Sequence, residues 1–196
     1  MRLQLLAILS LPLLSLASQE KQIPMSIAIE DYSPQTHAKP SLADLLTIEP
    51  SASIFYSYAR ELELSANFVD TTSSYTIFVP TNKAVMSLAR KPHQGPKPPV
   101  DEGIQISEEE FDNQSKKNVE RWVSAHIVPK SPIRLDSEYP TLLEGKTISF
   151  RPISKNDGKG PEWSRVTLED GVRIIGMKEG SNGVLFLIDG TVSEAV

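Results

Sequence analysis

The hydrophobic periodicity of this chain changes once, near Pro129, and that change limits the folds open to it. Before Pro129 the apolar residues recur at helical spacing. Leu42, Leu45 and Leu46 share one face. Ile54, Phe55, Tyr58 and Leu62 share another, and Val119, Trp122, Val123 and His126 fall at i, i+3, i+4 and i+7. After Pro129 the period is two. "TLLEGKTISF" flanks Glu144-Gly145, "SRVTLEDGVRIIG" flanks Asp170-Gly171 and "KEGSNGVLFLID" flanks Asn182-Gly183, three hairpin signals in succession. One early strand interrupts the helical half, at Tyr75–Val79, and Pro80 stops it. Helices first and antiparallel strands last read as α+β rather than alternating βαβ.

The caps agree with this plan. Ser41 precedes the first apolar face, and Ser51 or Ser53 opens the second. Thr81 or Asn82 follows the early strand, and Ser107 stands three residues before Glu110 in a capping-box pattern. Residues 90–106, with several prolines and no periodicity, read as a long surface loop.

The N-terminus carries Arg2, an apolar run from Leu3 to Leu16, and small residues Ser15 and Ala17 at the −3 and −1 positions of a cleavage point. This is the pattern of a secretory signal peptide over 1–17. The run is short for a span and Pro12 interrupts it, so no stable membrane insertion is expected after cleavage. Residues 18–38 read as an extended lead-in. The chain has no cysteine, so an oxidising compartment offers it no disulfide. A core of ~175 residues suffices without one. Asn113-Gln114-Ser115 is a glycosylation sequon. The formal charge of −5, without a dense basic stripe, argues against nucleic acid as partner.

Catalytic patterns are weak. Gly145-Lys146-Thr147 has Pro140 where a phosphate loop requires glycine. No serine sits in a GxSxG elbow, and no paired histidine spacing suggests zinc. His37 and His93 fall in polar, Pro-rich stretches. His126 ends an amphipathic helix on its apolar face, where it is read as a core residue that hydrogen-bonds to Thr81 or to backbone near the early strand. No catalytic residue, cofactor or metal is expected.

Three segments, in order, resemble the fasciclin domain family. "YTIFVPTNKAVMSL" looks like its first signature, carrying Pro80, Thr81 and Asn82. "VERWVSAHIVP" is similar to its middle signature, carrying His126 and Pro129. "NGVLFLIDGTV" resembles its last, carrying Asn182, Gly183 and Asp189. The resemblance covers about 39–193 and implies a single domain, a helical layer packed on an antiparallel β-wedge. The insertion between the first two signatures looks like that of fungal single-domain members. It implies a luminal protein of the secretory pathway, with the vacuole lumen as destination and secretion or the cell wall as the alternative. The family implies interaction or adhesion rather than catalysis, with a luminal or extracellular protein or glycan as partner. In some animal members a Tyr-His pair and Asp-Ile motifs contribute to integrin binding; here the residues are Ala125-His126 and Ile188-Asp189. The alternatives are a luminal hydrolase using His126, or a small-ligand carrier with a crevice near it.

Overall fold

A computed structural model describes residues 39–96, 107–153, 160–168 and 171–194. The expected signal peptide, the lead-in with His37, and residues 97–106 of the Pro-rich loop lie outside the described residues.

The helical half comprises α1 (Leu42–Thr47), α2 (Ser53–Ala59), α3 (Asn82–Ser87) and α4 (Glu108–Ala125). The strands are β1 (Tyr75–Pro80), β2 (Ile127–Val128), β3 (Tyr139–Pro140), β4 (Thr147–Ile148), β5 (Phe150–Pro152), β6 (Val166–Leu168), β7 (Ile174–Gly180) and β8 (Gly183–Ile188). α1 and α4 both begin with reciprocal capping boxes, Ser41 with Asp44 and Ser107 with Glu110. α2 departs from the sequence reading. Its N-cap is Ala52, which has no side-chain bond, and neither Ser51 nor Ser53 caps it. The Ile54 N–H instead donates to the Asn82 side chain at 2.9 Å, so the cap comes from another part of the chain.

The main sheet has the order β2-β1-β8-β7. β1 pairs antiparallel with β2, but β1 and β8 run parallel, with Tyr75 opposite Gly183 and Pro80 opposite Ile188. The architecture is α+β, and the sheet is mixed rather than wholly antiparallel. β1 and β8 lie about a hundred residues apart, with α3 and α4 between them, so the chain can return in the same direction. Two further two-stranded antiparallel pairs, β3-β4 and β5-β6, complete the wedge.

β1 and β8 are buried on both faces. Ile77, Val79 and Leu185 join the helical core with Leu46, Phe55 and Trp122. Phe78, Phe186 and Ile188 face the other way into the wedge with Ile148, Leu168 and Ile174. The Phe78 and Phe186 rings stack at 5.5 Å. This explains the continuous apolar run of β8, since a central strand has no face left for water.

The last hairpin turns one residue earlier than the Asn182-Gly183 dipeptide suggests. Gly180 pairs with Gly183, leaving Ser181 and Asn182 as the connection. The reason is a buried tether. The Asn182 side chain accepts from the Leu42 N–H at 2.8 Å and donates to the Phe68 and Asp70 carbonyls, each at 2.9 Å. Gly183 has φ 151°, and a Cβ there would overlap the Tyr75 carbonyl oxygen, so no other residue fits the parallel seam. Asn182→Ala would remove the partner of three backbone groups, two of them buried. The expected loss is about 3 kcal/mol of unfolding free energy, measured by denaturant titration; a loss below about 1 kcal/mol would mean that the tether is dispensable.

Candidate functional site

Pro80 ends β1, and Thr81 accepts the Ala84 N–H at 3.3 Å as N-cap of α3. The Asn82 amide, besides capping α2, donates to the Pro50 carbonyl at 2.9 Å and the Ser53 hydroxyl at 3.0 Å. Thr81 and Asn82 therefore fasten strand, α3 and α2 together. Asp189 takes the Arg173 N–H and its guanidinium, both at 2.8 Å, which closes the end of β8 onto the start of β7. Pro129 is exposed after β2.

His126 does not pair with Thr81, as the sequence suggested it would. It is the C-cap of α4 and its imidazole is wholly buried. Nδ1 lies 2.7 Å from the Trp122 carbonyl, and Nε2 lies 3.0 Å from the Val192 N–H. A carbonyl can only accept and an amide N–H can only donate, so the partners set the tautomer: Nδ1–H donates and Nε2 accepts. The preferred partner was missed because Val192 is 66 residues away and follows the last strand.

The ring packs on Trp122 at 4.7 Å and on Phe55 at 5.6 Å between centroids. A helix C-terminus ordinarily favours imidazolium. Here burial wins and pushes the pKa down from 6.5 to about 4, with the Trp122 carbonyl opposing in part. With both nitrogens engaged and no solvent access, this ring is not available to a substrate.

His93 lies in an ordered turn although its surrounding sequence is polar and Pro-rich. Residues Pro92–Gln94 form a 3-10 turn with Pro92 buried. His93 is half-buried, with Nδ1 3.2 Å from the Tyr58 hydroxyl, and its carbonyl accepts from the Asn118 side chain. Gly95 (φ 60°) presses on the Asn118 amide, where a Cβ would lie 2.6 Å away. The expected loop 90–106 is thus ordered over 90–96 by contact with α4, a contact no local pattern announces. Lys91 adds to it by donating to the Met86 and Leu88 carbonyls at the end of α3.

Two cavities flank this turn. One, of about 740 Å³, lies between Leu88–Pro92, Trp122 and the terminal residues Thr191–Glu194. The other, of about 750 Å³, lies between His93, Gln94 and the outer face of α4, including Phe111 and Gln114. Arg90, Pro96 and Arg121 border both. Phe111 is 55% exposed, a large ring left in water beside this cleft. Arg121 meets Glu194 at 3.8 Å, too long for a hydrogen bond. Asn113 is exposed on the same helix. Among the described residues, no three His, Asp or Glu side chains converge as a metal site would require, and no helix is long and apolar enough to cross a membrane.

A mixed sheet carrying a helical layer on one face and a β-wedge on the other, closed by signature residues at its junctions, defines an α+β scaffold. The fasciclin domain model matches residues 50–193, and the chain belongs to the fasciclin domain family. It is 35% identical over 107 residues to an FAS1 domain-containing protein of Aspergillus fumigatus, covering 53% of this chain and 46% of that one. It is 30% identical over 160 residues to another of Emericella nidulans, covering 79% and 62%. A Saccharomyces cerevisiae FAS1 domain-containing protein is 29% identical over 171 residues. The chain thus spans about half to three-fifths of the length of the curated relatives it matches. Among solved structures it resembles the FAS1 domain pair of the insect cell adhesion molecule Fasciclin I. The TM-score is 0.56 and the identity 14%, over 80% of this chain and 51% of that one.

His126→Ala would leave a cavity and two unpaired buried backbone groups. A loss of roughly 3 kcal/mol in unfolding free energy is expected; an unchanged melting temperature would contradict the structural role.

Proposed function

We propose that this fasciclin domain protein is a non-enzymatic interaction module of the secretory pathway. Its contact surface is the cleft bordered by residues 88–96, α4 and Thr191–Glu194. The observation that carries this reading is the full engagement of His126: the histidine available to a hydrolase is spent on Trp122 and Val192. A general base must reach the proton it takes, and this ring faces hydrocarbon. The other signature side chains, Thr81, Asn82, Asn182 and Asp189, are likewise spent on the scaffold. What remains outward is the cleft, with Phe111 and Arg121 exposed along it. Aromatic and arginine side chains are the usual anchors of protein contacts. The partner we propose is a luminal or extracellular protein or glycan. The domain extends over about 39–193, preceded by a cleaved signal peptide, and the vacuole lumen is its destination, with secretion as the alternative.

The cavity between Leu88, Pro92, Trp122 and Val192 supports a second reading, a carrier for a small apolar ligand. Direct binding of such a ligand by the purified chain, without any protein partner, would favour it.

Crosslinking in the cells that make the protein, with an internal tag, tests the first reading. The captured partner should be lost with Phe111→Ser plus Arg121→Glu and kept with Ile175→Thr on β7; equal capture by all three would place the contact elsewhere. A second expectation concerns Asn113. Enzymatic deglycosylation should increase gel mobility of the mature protein, and Asn113→Gln should abolish that difference; identical mobility in both would refute glycosylation at this site.

A further inference from the structure

The residues after β8 form a strap. Val192 buries its side chain in the wedge core, its N–H donates to His126 Nε2, and the strap's Thr191–Glu194 stretch makes one wall of the cleft. We infer that this strap is an acid-released wall: a proton taken up from solvent by His126 Nε2 removes the acceptor of the Val192 N–H and detaches Thr191–Glu194, while the core remains folded. The inference rests on the geometry around His126 and holds whatever occupies the cleft.

The chemistry is a simple exclusion. Neutral His126 has one donor nitrogen and one acceptor, and both are matched. Imidazolium has two donors, so the Val192 N–H would then confront another N–H in a site sealed from water. A buried donor without an acceptor is costly, and moving the strap relieves the conflict at less cost than unfolding the sheet. The strap is the adjustable partner, because the Trp122 carbonyl belongs to α4 whereas Thr191–Glu194 belong to no helix or strand.

Four elements pack on or beside the ring. α2 presents Phe55, and Tyr58 meets Trp122 edge to face with its hydroxyl toward His93. α4 presents Trp122 and, toward the cleft, Arg121. The strap presents Val192 and Glu194. β1 meets His126 through the Phe78 N–H, which donates to the His126 carbonyl. The His126 pKa is depressed in the closed state, from 6.5 to about 4. The closed strap therefore binds fewer protons than the open one, and closure is favoured above pH 6.5 and weakened as the pH falls toward 4. Glu194 works against this. Burial raises its pKa more than Arg121 lowers it, so its protonation favours the docked strap. His126 prevails, because it is wholly buried and Glu194 only partly so.

Hydrogen exchange on the full chain, corrected for the intrinsic rate at each pH, tests the inference. Val192 protection should fall on the order of 10²-fold between pH 7.5 and 4.5, while Val79 and Leu187 in the central strands keep theirs. The fall should share its midpoint with the His126 ring followed by NMR. His126→Gln, which offers a donor and an acceptor without titrating, should make Val192 protection independent of pH. Glu194→Gln should leave the transition in place. Loss of Val192 and strand protection together, persistence of Val192 protection to pH 4.5, or disappearance of the transition in Glu194→Gln would each overturn the proposal.

Discussion

His126 holds three parts of the molecule at one point, two through its ring and one through its backbone. Through Nδ1 it closes the last turn of α4. Through Nε2 it takes the Val192 N–H of the chain's C-terminal end. Through its own carbonyl it accepts the Phe78 N–H of the central strand β1. The ring fits between Phe55 and Trp122, where water is excluded and the charged form is disfavoured. A neutral residue with one donor and one acceptor, about as wide as an aromatic ring, is what this junction requires, and histidine supplies it. A hydrocarbon of equal volume would pack and leave two backbone groups unpaired.

The same logic recurs at the other junctions. Asn82 and Asn182 are side-chain amides in places where backbone groups from distant segments would otherwise lack partners. Asn82 joins the β1–α3 turn to α2, and Asn182 joins the β7–β8 turn to α1 and to the Glu63–Phe68 3-10 turn. An amide donates and accepts at once, so one side chain can serve both kinds of orphan. A chain without disulfides relies on such tethers together with its two-sided core. This division of labour also frees the outer surface. At the cleft the Phe111 ring stands exposed, and Arg121 of α4 reaches Glu194 only at 3.8 Å.

Local features were legible in the sequence and non-local ones were not. The cap at Ser41, the capping box at Ser107 and the stop at Pro80 are set by residues within four positions, and each forms at its expected place. The α+β class followed from one change of period. The parallel β1–β8 seam was invisible, because a strand buried on both sides shows no alternation that reports its neighbour's direction. The turn over Pro92–Gln94 depends on the Gly95–Asn118 contact and carries no helical pattern of its own. The partner of His126 was misjudged for the same reason. Thr81 was a neighbour in the family signatures, whereas Val192 reaches the ring only through the fold. At the cleft, the proximity of Phe111 to Arg90 and Arg121 arises only through the fold and has no local signal.

The central claim is that His126 is a fixed structural connector and not a titrating or catalytic group at neutral pH. Nitrogen chemical shifts of the His126 ring in the folded protein at pH 7 test this most directly. The structure predicts a neutral ring with the proton on Nδ1 and a hydrogen-bond coupling from Nε2 to the Val192 amide. A proton on Nε2, or a ring that is partly charged at pH 7, would contradict it.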